Sequence, residues 1–282
     1  MIESKHLKAV QDKIYTICGI TIDDSKSTMM KNRISKLTKD VAHDSIDKLL
    51  EKVDRDEEIR QLFINVFTTN KTDFFRESFH FDDMLDRALP ELFRNQPKIR
   101  IYCCASSSGQ EPYTIALTAL YAKKVYNSSA DIEIIATDID TQMLQIAKKG
   151  IYEVNPQLEK YPKWADSVLS EYFNIEDISP KERVMKAKSN LKEIITFKTL
   201  NLFSSKYPFK NEEFDIIFCR NVLIYFKKDD QIAILERLFD LLKLNGTFYL
   251  GHSESLYHIA NFTERLGHKI FIKNSAYNGD GQ

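Results

Sequence analysis

The sequence contains no apolar run near the roughly 20 residues that a membrane span requires. Its amino terminus is amphipathic rather than signal-like. It also lacks an excess of charge: 40 basic and 41 acidic side chains leave a net of -1, so bulk attraction to nucleic acid or to an anionic membrane is not implied. The four cysteines, Cys18, Cys103, Cys104 and Cys219, show no C-x-x-C spacing. Three of them fall in apolar segments that read as buried strands. They are expected as small core hydrophobes in a reducing compartment, with no zinc site. Internal repeats and low-complexity segments are missing, as are a Walker lysine and a G-x-S-x-G elbow. These absences exclude a P-loop for a triphosphate and the usual serine-hydrolase turn. The expectation is a soluble cytoplasmic protein.

What is present is chain enough, 282 residues, for roughly two domains with a core each. Residues 1–66 read as all helix. His6, Val10, Ile14 and Ile17 recur at helical intervals, and the pattern stops at Cys18-Gly19. A second helix, capped by Asp24 or Ser25, has the apolar stripe Met30, Ile34, Leu37 and Val41. A third runs from about Ser45 through Leu49, Leu50 and Val53, and a fourth from about Asp56 to Phe67. Lys26, Lys31, Arg33, Lys36 and Lys39 decorate the second helix, with no acid before Asp40. A solvated face accounts for them as well as docking on an acidic helical partner does.

The remainder, 67–282, is organised around residues 99–120. Ile99, Ile101, Cys103 and Cys104 suit a central buried strand. Residues 105–109 are small, and Pro112 sits where the first turn of a helix tolerates it. Strand, small-residue turn and helix form the first unit of a nucleotide-binding α/β sheet, although a packed βα unit without ligand has the same pattern. A second strand, 132–137, ends in Asp138-Ile139-Asp140. Asp138 is placed to accept hydrogen bonds from ribose hydroxyls, a helix cap being the other reading, and Asp140 reads as the cap of the next helix. Residues 150 to about 192 break the alternation and read as an inserted small subdomain, at about 158–192. Strands follow at 194–200, 214–219, 247–251 and 268–273, with a helix from about Asp229 to Leu244 capped by Asn245-Gly246. The tail beyond Asn274 is polar and expected to be mobile.

Upstream, residues 67–81 are dense in phenylalanine and read as a linker helix, with Asn70, Thr72 and Arg76 within two of its turns. Polar groups then collect at the carboxyl ends of four strands: residues 106–111, Asp138, Asn201, and Arg220 with Asn221. One rim gathering them is the geometry of a ligand crevice. The first turn has one glycine rather than the three of G-x-G-x-x-G, and Glu111 would repel a pyrophosphate. An acidic rim suits a nucleoside that carries positive charge, so S-adenosylmethionine fits better than a nicotinamide dinucleotide.

Four segments, 68–76, 105–113, 136–140 with 150–152, and 214–226 trailed by Gly251-His252-Ser253-Glu254, resemble the chemotaxis receptor methyltransferases, the CheR family. The resemblance implies a helical amino-terminal domain at 1–66 and a class I, Rossmann-like methyltransferase domain at 67–282 with an inserted β-subdomain. It implies S-adenosylmethionine as methyl donor and receptor glutamates as acceptors, giving methyl esters. By motif, Asn70, Thr72 and Arg76 would contact the methionine part and Glu111 the cationic end. Asp138 would hold the ribose, while Asn201, Leu202, Arg220 and Asn221 enclose the adenosine. Tyr225 matches the family tyrosine near the transferred methyl. Arg94 is the candidate for steering the substrate carboxylate, with Arg100 competing.

A glutamate with a pKa of about 4.3 is already ionised at neutral pH. His252 is therefore expected to be structural rather than a general base. Two departures from the family pattern stand out. Gln110 replaces a first glutamate, and 174–188 contains no glycine where tether-gripping relatives have a glycine-containing loop. The expectation is an enzyme that works without a receptor-tail tether and docks on receptor helices through Lys31, Arg33 and Lys36. The rival readings are a non-catalytic sensor of the donor or its product, and a carboxyl methyltransferase for another protein.

Overall fold

The computed structural model describes residues 4–22, 27–42, 45–256 and 260–277. Four helices open the chain: α1 (Ser4–Cys18), α2 (Ser27–Ala42), α3 (Ile46–Arg55) and α4 (Glu57–Phe67). Their apolar stripes meet in a core of their own, with Val10, Ile14, Ile34, Leu49, Val53 and Phe63 fully buried. Ser45 and Asp56 cap α3 and α4 by accepting from backbone amides in the first turn. The caps proposed for α2, Asp24 and Ser25, lie outside the described residues, as does Lys26.

Residues 68–78 are not the expected linker helix. Phe75 and Glu77 take positive φ values of 52° and 54°, which no helix accommodates, so the chain turns sharply before α5 (Phe79–Asp83). A short π-helical turn at Met84–Ala88 joins α5 to α6 (Leu89–Asn95). Then follow β1 (Lys98–Cys104), α7 (Gln110–Val125), β2 (Asp131–Asp138) and α8 (Thr141–Lys149). Asp140 caps α8 through the amides of Gln142 and Met143. The insertion comprises β3 (Ile151–Val154), α9 (Lys163–Tyr172), β4 (Phe173–Ser179) and β5 (Glu182–Ala187), with the strands in a separate antiparallel sheet ordered β3-β5-β4. The small sheet thus starts upstream of residue 158, because Tyr152 pairs with Met185 and buries its ring.

After the short α10 (Ser189–Lys192), the main sheet resumes with β6 (Ile195–Thr199) and β7 (Phe214–Cys219). It ends with α11 (Lys228–Leu241), β8 (Leu242–Leu250), β9 (Thr263–Gly267) and β10 (Ile270–Lys273). The strand order is β6-β2-β1-β7-β8-β10-β9, parallel from β6 to β8 and closed by an antiparallel hairpin. Side chains of β1 alternate between the two faces: Ile99, Ile101 and Cys103 join one core cluster, Tyr102 and Cys104 the other. All four cysteines are free and buried, the three in strands as small core residues.

Boundaries near the end of the chain differ from expectation: β8 begins at Leu242 rather than Thr247, and β10 at Ile270 rather than His268. Helix α11 stops at Leu241 rather than Leu244, because Lys273 Nζ reaches the carbonyls of Phe239 and Leu242 at 2.8 and 2.6 Å and satisfies the helix end without a glycine cap. Residues 263–267 form an unexpected strand, joined to β10 by His268-Lys269 with both residues at positive φ. This two-residue turn has no Asn-Gly signature to announce it. The tail is anchored as far as Tyr277, whose hydroxyl donates to Asp240 at 2.6 Å.

Candidate active site

Chain order runs outward from β1 through β2 to β6, then jumps back to β7 on the other side of β1. The crevice outside the carboxyl ends of β1 and β7 is therefore the topological switch point, where α/β sheets bind ligands. A cleft of about 900 Å³, open mouth included, lies there. Of the residues proposed from sequence, Asn70, Thr72, Arg76, Glu111, Asp138, Asn201, Leu202, Arg220, Asn221 and Tyr225 all line it.

Arg94 does not. It lines a separate groove with Phe93, Gln96 and Tyr126, at the amino-terminal edge of the sheet. Arg100 is equally remote, its guanidinium held by Glu133 at 3.2 Å and Glu213 at 2.6 Å. A seven-residue strand carries the chain roughly 20 Å across the sheet, so residues just before β1 and residues just after it serve opposite rims. Arg76, on the sharp turn ahead of α5, lines the cleft, as Arg220 does.

The floor of the cleft is ionic. Arg220, with its side chain fully buried, contacts Glu111 at 2.5 Å and Glu77 at 3.3 Å and donates to the Arg76 carbonyl. Two carboxylates thus share one guanidinium, and of the two only Glu111 lines the cleft, together with Lys71 and Arg76. Burial opposes ionisation of Glu77, yet Arg220, the Asn221 amide and the His252 N–H outweigh it and hold that carboxyl below its ordinary pKa. His80, beneath this cluster, accepts no proton near neutrality: burial and then Arg220 lower its pKa to about 4. Glu77 and His80 were not anticipated from sequence; their polar roles rest on a turn whose positive φ values nothing in the residue types foretells.

At the other end, the Asp138 carboxylate accepts from the backbone N–H of Ser107 at 2.7 Å and of Asp140 at 2.8 Å. Each oxygen keeps a lone pair for a further donor. Burial raises its pKa to about 6, against the lowering effect of those amides. Asn70 donates to Asp140 at 2.9 Å and accepts from Ser107 through its backbone, so it ties the 68–72 segment to the β1 and β2 ends. Gln110 accepts from Ser108 and lies outside the cleft, so its departure from the family glutamate leaves the cleft unchanged.

The helical domain completes the wall. Cys18 and Ile20 line the cleft; Asn201 donates to the Ile17 carbonyl at 2.8 Å, and Thr21 donates twice to the Tyr225 carbonyl at 2.8 Å. No sequence signal pointed to Cys18 or Ile20, because contact between two domains has no local periodicity. Between the charged ends, Ile139, Leu200, Leu202, Val222 and Phe226 are apolar. The cleft therefore offers carboxylate acceptors for hydroxyls, a carboxylate for a cation and apolar surface for a flat body. S-adenosylmethionine has those parts. No cluster of metal-ligating side chains occurs among the described residues.

Comparison with known proteins agrees with this geometry. Residues 5–68 match the all-alpha domain of CheR methyltransferases, and residues 70–272 match the CheR methyltransferase SAM binding domain. Chemotaxis protein methyltransferase 2 of Pseudomonas aeruginosa is 34% identical over 262 residues, covering 93% of this chain and 90% of that protein. The chemotaxis protein methyltransferase of Escherichia coli is 33% identical over 268 residues, covering 94% and 90%. Chemotaxis protein methyltransferase 1 of Vibrio cholerae is 37% identical over 242 residues, covering 85% of each. By these matches the chain belongs to the CheR family of methyltransferases, an enzyme whose cofactor is S-adenosylmethionine.

Proposed function

We propose that this enzyme methylates glutamate side chains on the cytoplasmic helices of chemoreceptors, giving glutamate methyl esters. The observation that carries this reading is the charge layout of the cleft. Glu111, paired with Arg220, and Asp138 are its two lining carboxylates, and Arg76 and Tyr225 line the same cleft. The bound donor supplies a methyl group on a positive sulfur. Asp138 would accept hydrogen bonds from the ribose hydroxyls, and Glu111 would face the cationic amino end. Thr72 and Asn70 would close over the methionine part, while Leu202 and Asn201 flank the base. Arg76 takes the role first expected of Arg94, guiding an incoming carboxylate. The Tyr225 ring would lie against the reacting methyl, where an aromatic face beside a cation contributes roughly 0.5 to 2 kcal/mol.

An ionised glutamate needs no proton removed, so the side chains serve alignment, holding reacting atoms at about 3 to 3.5 Å. His252 is exposed and does not line the cleft, which supports a base-free reaction. The lysines of α2 would face the acidic receptor helices. Lys31 and Lys36 are exposed; Arg33 turns inward and donates to the carbonyls of Val66 and Thr68 at 2.7 and 3.2 Å, so it leaves the docking set. Receptor recognition would proceed without a tail tether. The β4–β5 connection is a tight turn at Pro180-Lys181, with Ser179 opposite Glu182, rather than a glycine-containing loop.

Labelled donor incubated with chemoreceptor-containing membranes should yield base-labile methanol. Donor binding with no methanol from any protein would support a sensor, and methanol from soluble proteins alone would point to a different acceptor.

A further inference from the structure

The loop that leaves β7 carries Arg220, Asn221 and Tyr225 into the cleft, and it departs from regular geometry at once. Asn221 has φ +58° and Val222 has φ -121° with ψ -35°. A left-handed residue followed by a right-handed one aims successive backbone N–H groups into a common concavity, a nest that binds an anion. Here a side chain of the same protein fills it. Glu254 accepts from the N–H of Asn221 at 2.9 Å, Val222 at 2.8 Å, Leu223 at 2.7 Å and Gly251 at 2.8 Å. It is 4% exposed. Gly251 belongs to the same device: a Cβ there would meet Glu254 Oε2 at 2.5 Å and the Asn221 nitrogen at 2.7 Å. Lys269 holds the Glu254 backbone carbonyl from the other side at 2.6 Å.

We propose that Glu254 is a positioning residue for methyl transfer: by plugging the 221–223 nest it holds the turn that presents Tyr225 to the reacting methyl. Arg220, one residue earlier, is secured independently by Glu111, Glu77 and the Arg76 carbonyl. Loss of Glu254 should therefore loosen residues 221–223 and with them the approach to Tyr225, whose carbonyl stays bonded to Thr21, while leaving the ionic floor in place. This is a statement about turnover more than about donor binding, and it rests on the reading of Tyr225 given above.

The test compares wild type, Glu254→Gln and Glu254→Ala. Glutamine keeps the volume but turns an amide N–H2 toward N–H groups; alanine empties the nest. In both, kcat at saturating donor and receptor should fall more than about tenfold, while the donor Kd from calorimetry changes less than about threefold. Amide hydrogen exchange should quicken in the 220–226 peptide and not in β7. Formate added to Glu254→Ala should re-occupy the nest and recover turnover; the same formate should not help Tyr225→Phe. Unchanged turnover overturns the proposal, as does equal loss of donor binding and turnover, or a Glu254→Ala variant that formate leaves inactive. If Glu254→Gln fails to fold, the formate response of Glu254→Ala decides alone. Were wild type itself to release no methanol from receptor membranes, the receptor reading would fail, whereas the exchange data would still report on the nest.

Discussion

At the scale of single residues, the cleft separates groups that act on ligands from groups that hold them. Tyr225→Phe and Arg76→Ala should each cost far more turnover than His252→Ala in a methyl-transfer assay, because a reaction of an anion with a cationic methyl gives a base nothing to remove. Equal losses in all three would contradict the base-free reaction. Asp138 makes a second prediction. Burial lifts its pKa to about 6, so the donor-free enzyme takes up a proton there as pH falls below that value. A protonated carboxyl carries no charge and offers fewer acceptor sites. The donor Kd should thus be flat from pH 8 to about 6 and then rise toward about tenfold per pH unit. Calorimetric titration across that range checks it, and a flat Kd down to pH 5 would remove Asp138 from the donor site.

At the scale of elements, α2 carries basic side chains that face solvent and one that faces inward. Lys31 and Lys36 are exposed, so Lys31→Glu with Lys36→Glu should leave the melting temperature nearly unchanged, surface changes usually costing within about 0.5 kcal/mol, yet weaken receptor methylation. High salt should weaken wild type in the same sense. Arg33→Ala should do the opposite. Its two bonds to carbonyls at the end of α4 are charge-assisted, and their loss should cost about 1.5 to 3 kcal/mol in denaturant unfolding. For the small sheet, a receptor-tail peptide should show no binding to the isolated protein; measurable binding would restore a tether.

At the scale of the whole molecule, the helical domain is a wall of the cleft and not only an appendage. The joint turns at Gly19, which has φ +71° and packs so closely that a Cβ would sit 2.4 Å from the Phe203 ring. Tyr15 also contacts that ring, at 5.8 Å between centroids. Gly19→Ala would strain the turn and push α1 away from the loop after β6. Cys18 and Ile20 would move with it, and donor affinity should fall about tenfold, equivalent to 1.4 kcal/mol, with the unfolding of the main sheet little changed. Donor affinity unaltered in Gly19→Ala would mean that the wall is not needed.

Sequence alone determined the helices of the first domain, the parallel core strands and most of the donor cleft. Those features follow from apolar periodicity, from small residues after a strand, and from polar residues at strand ends, all of which are local. It also led to the family through segments at 68–76 and 214–226. Only the tertiary structure placed Arg94 and Arg100 away from the cleft and turned Arg33 inward, because strand direction and helix rotation set where a side chain ends. It alone showed Glu77 and His80 under Arg220, Cys18 and Ile20 in the wall, and Glu254 in its nest. These contacts join residues far apart in the chain through backbone conformations at Phe75, Glu77 and Asn221 that the residue types do not announce.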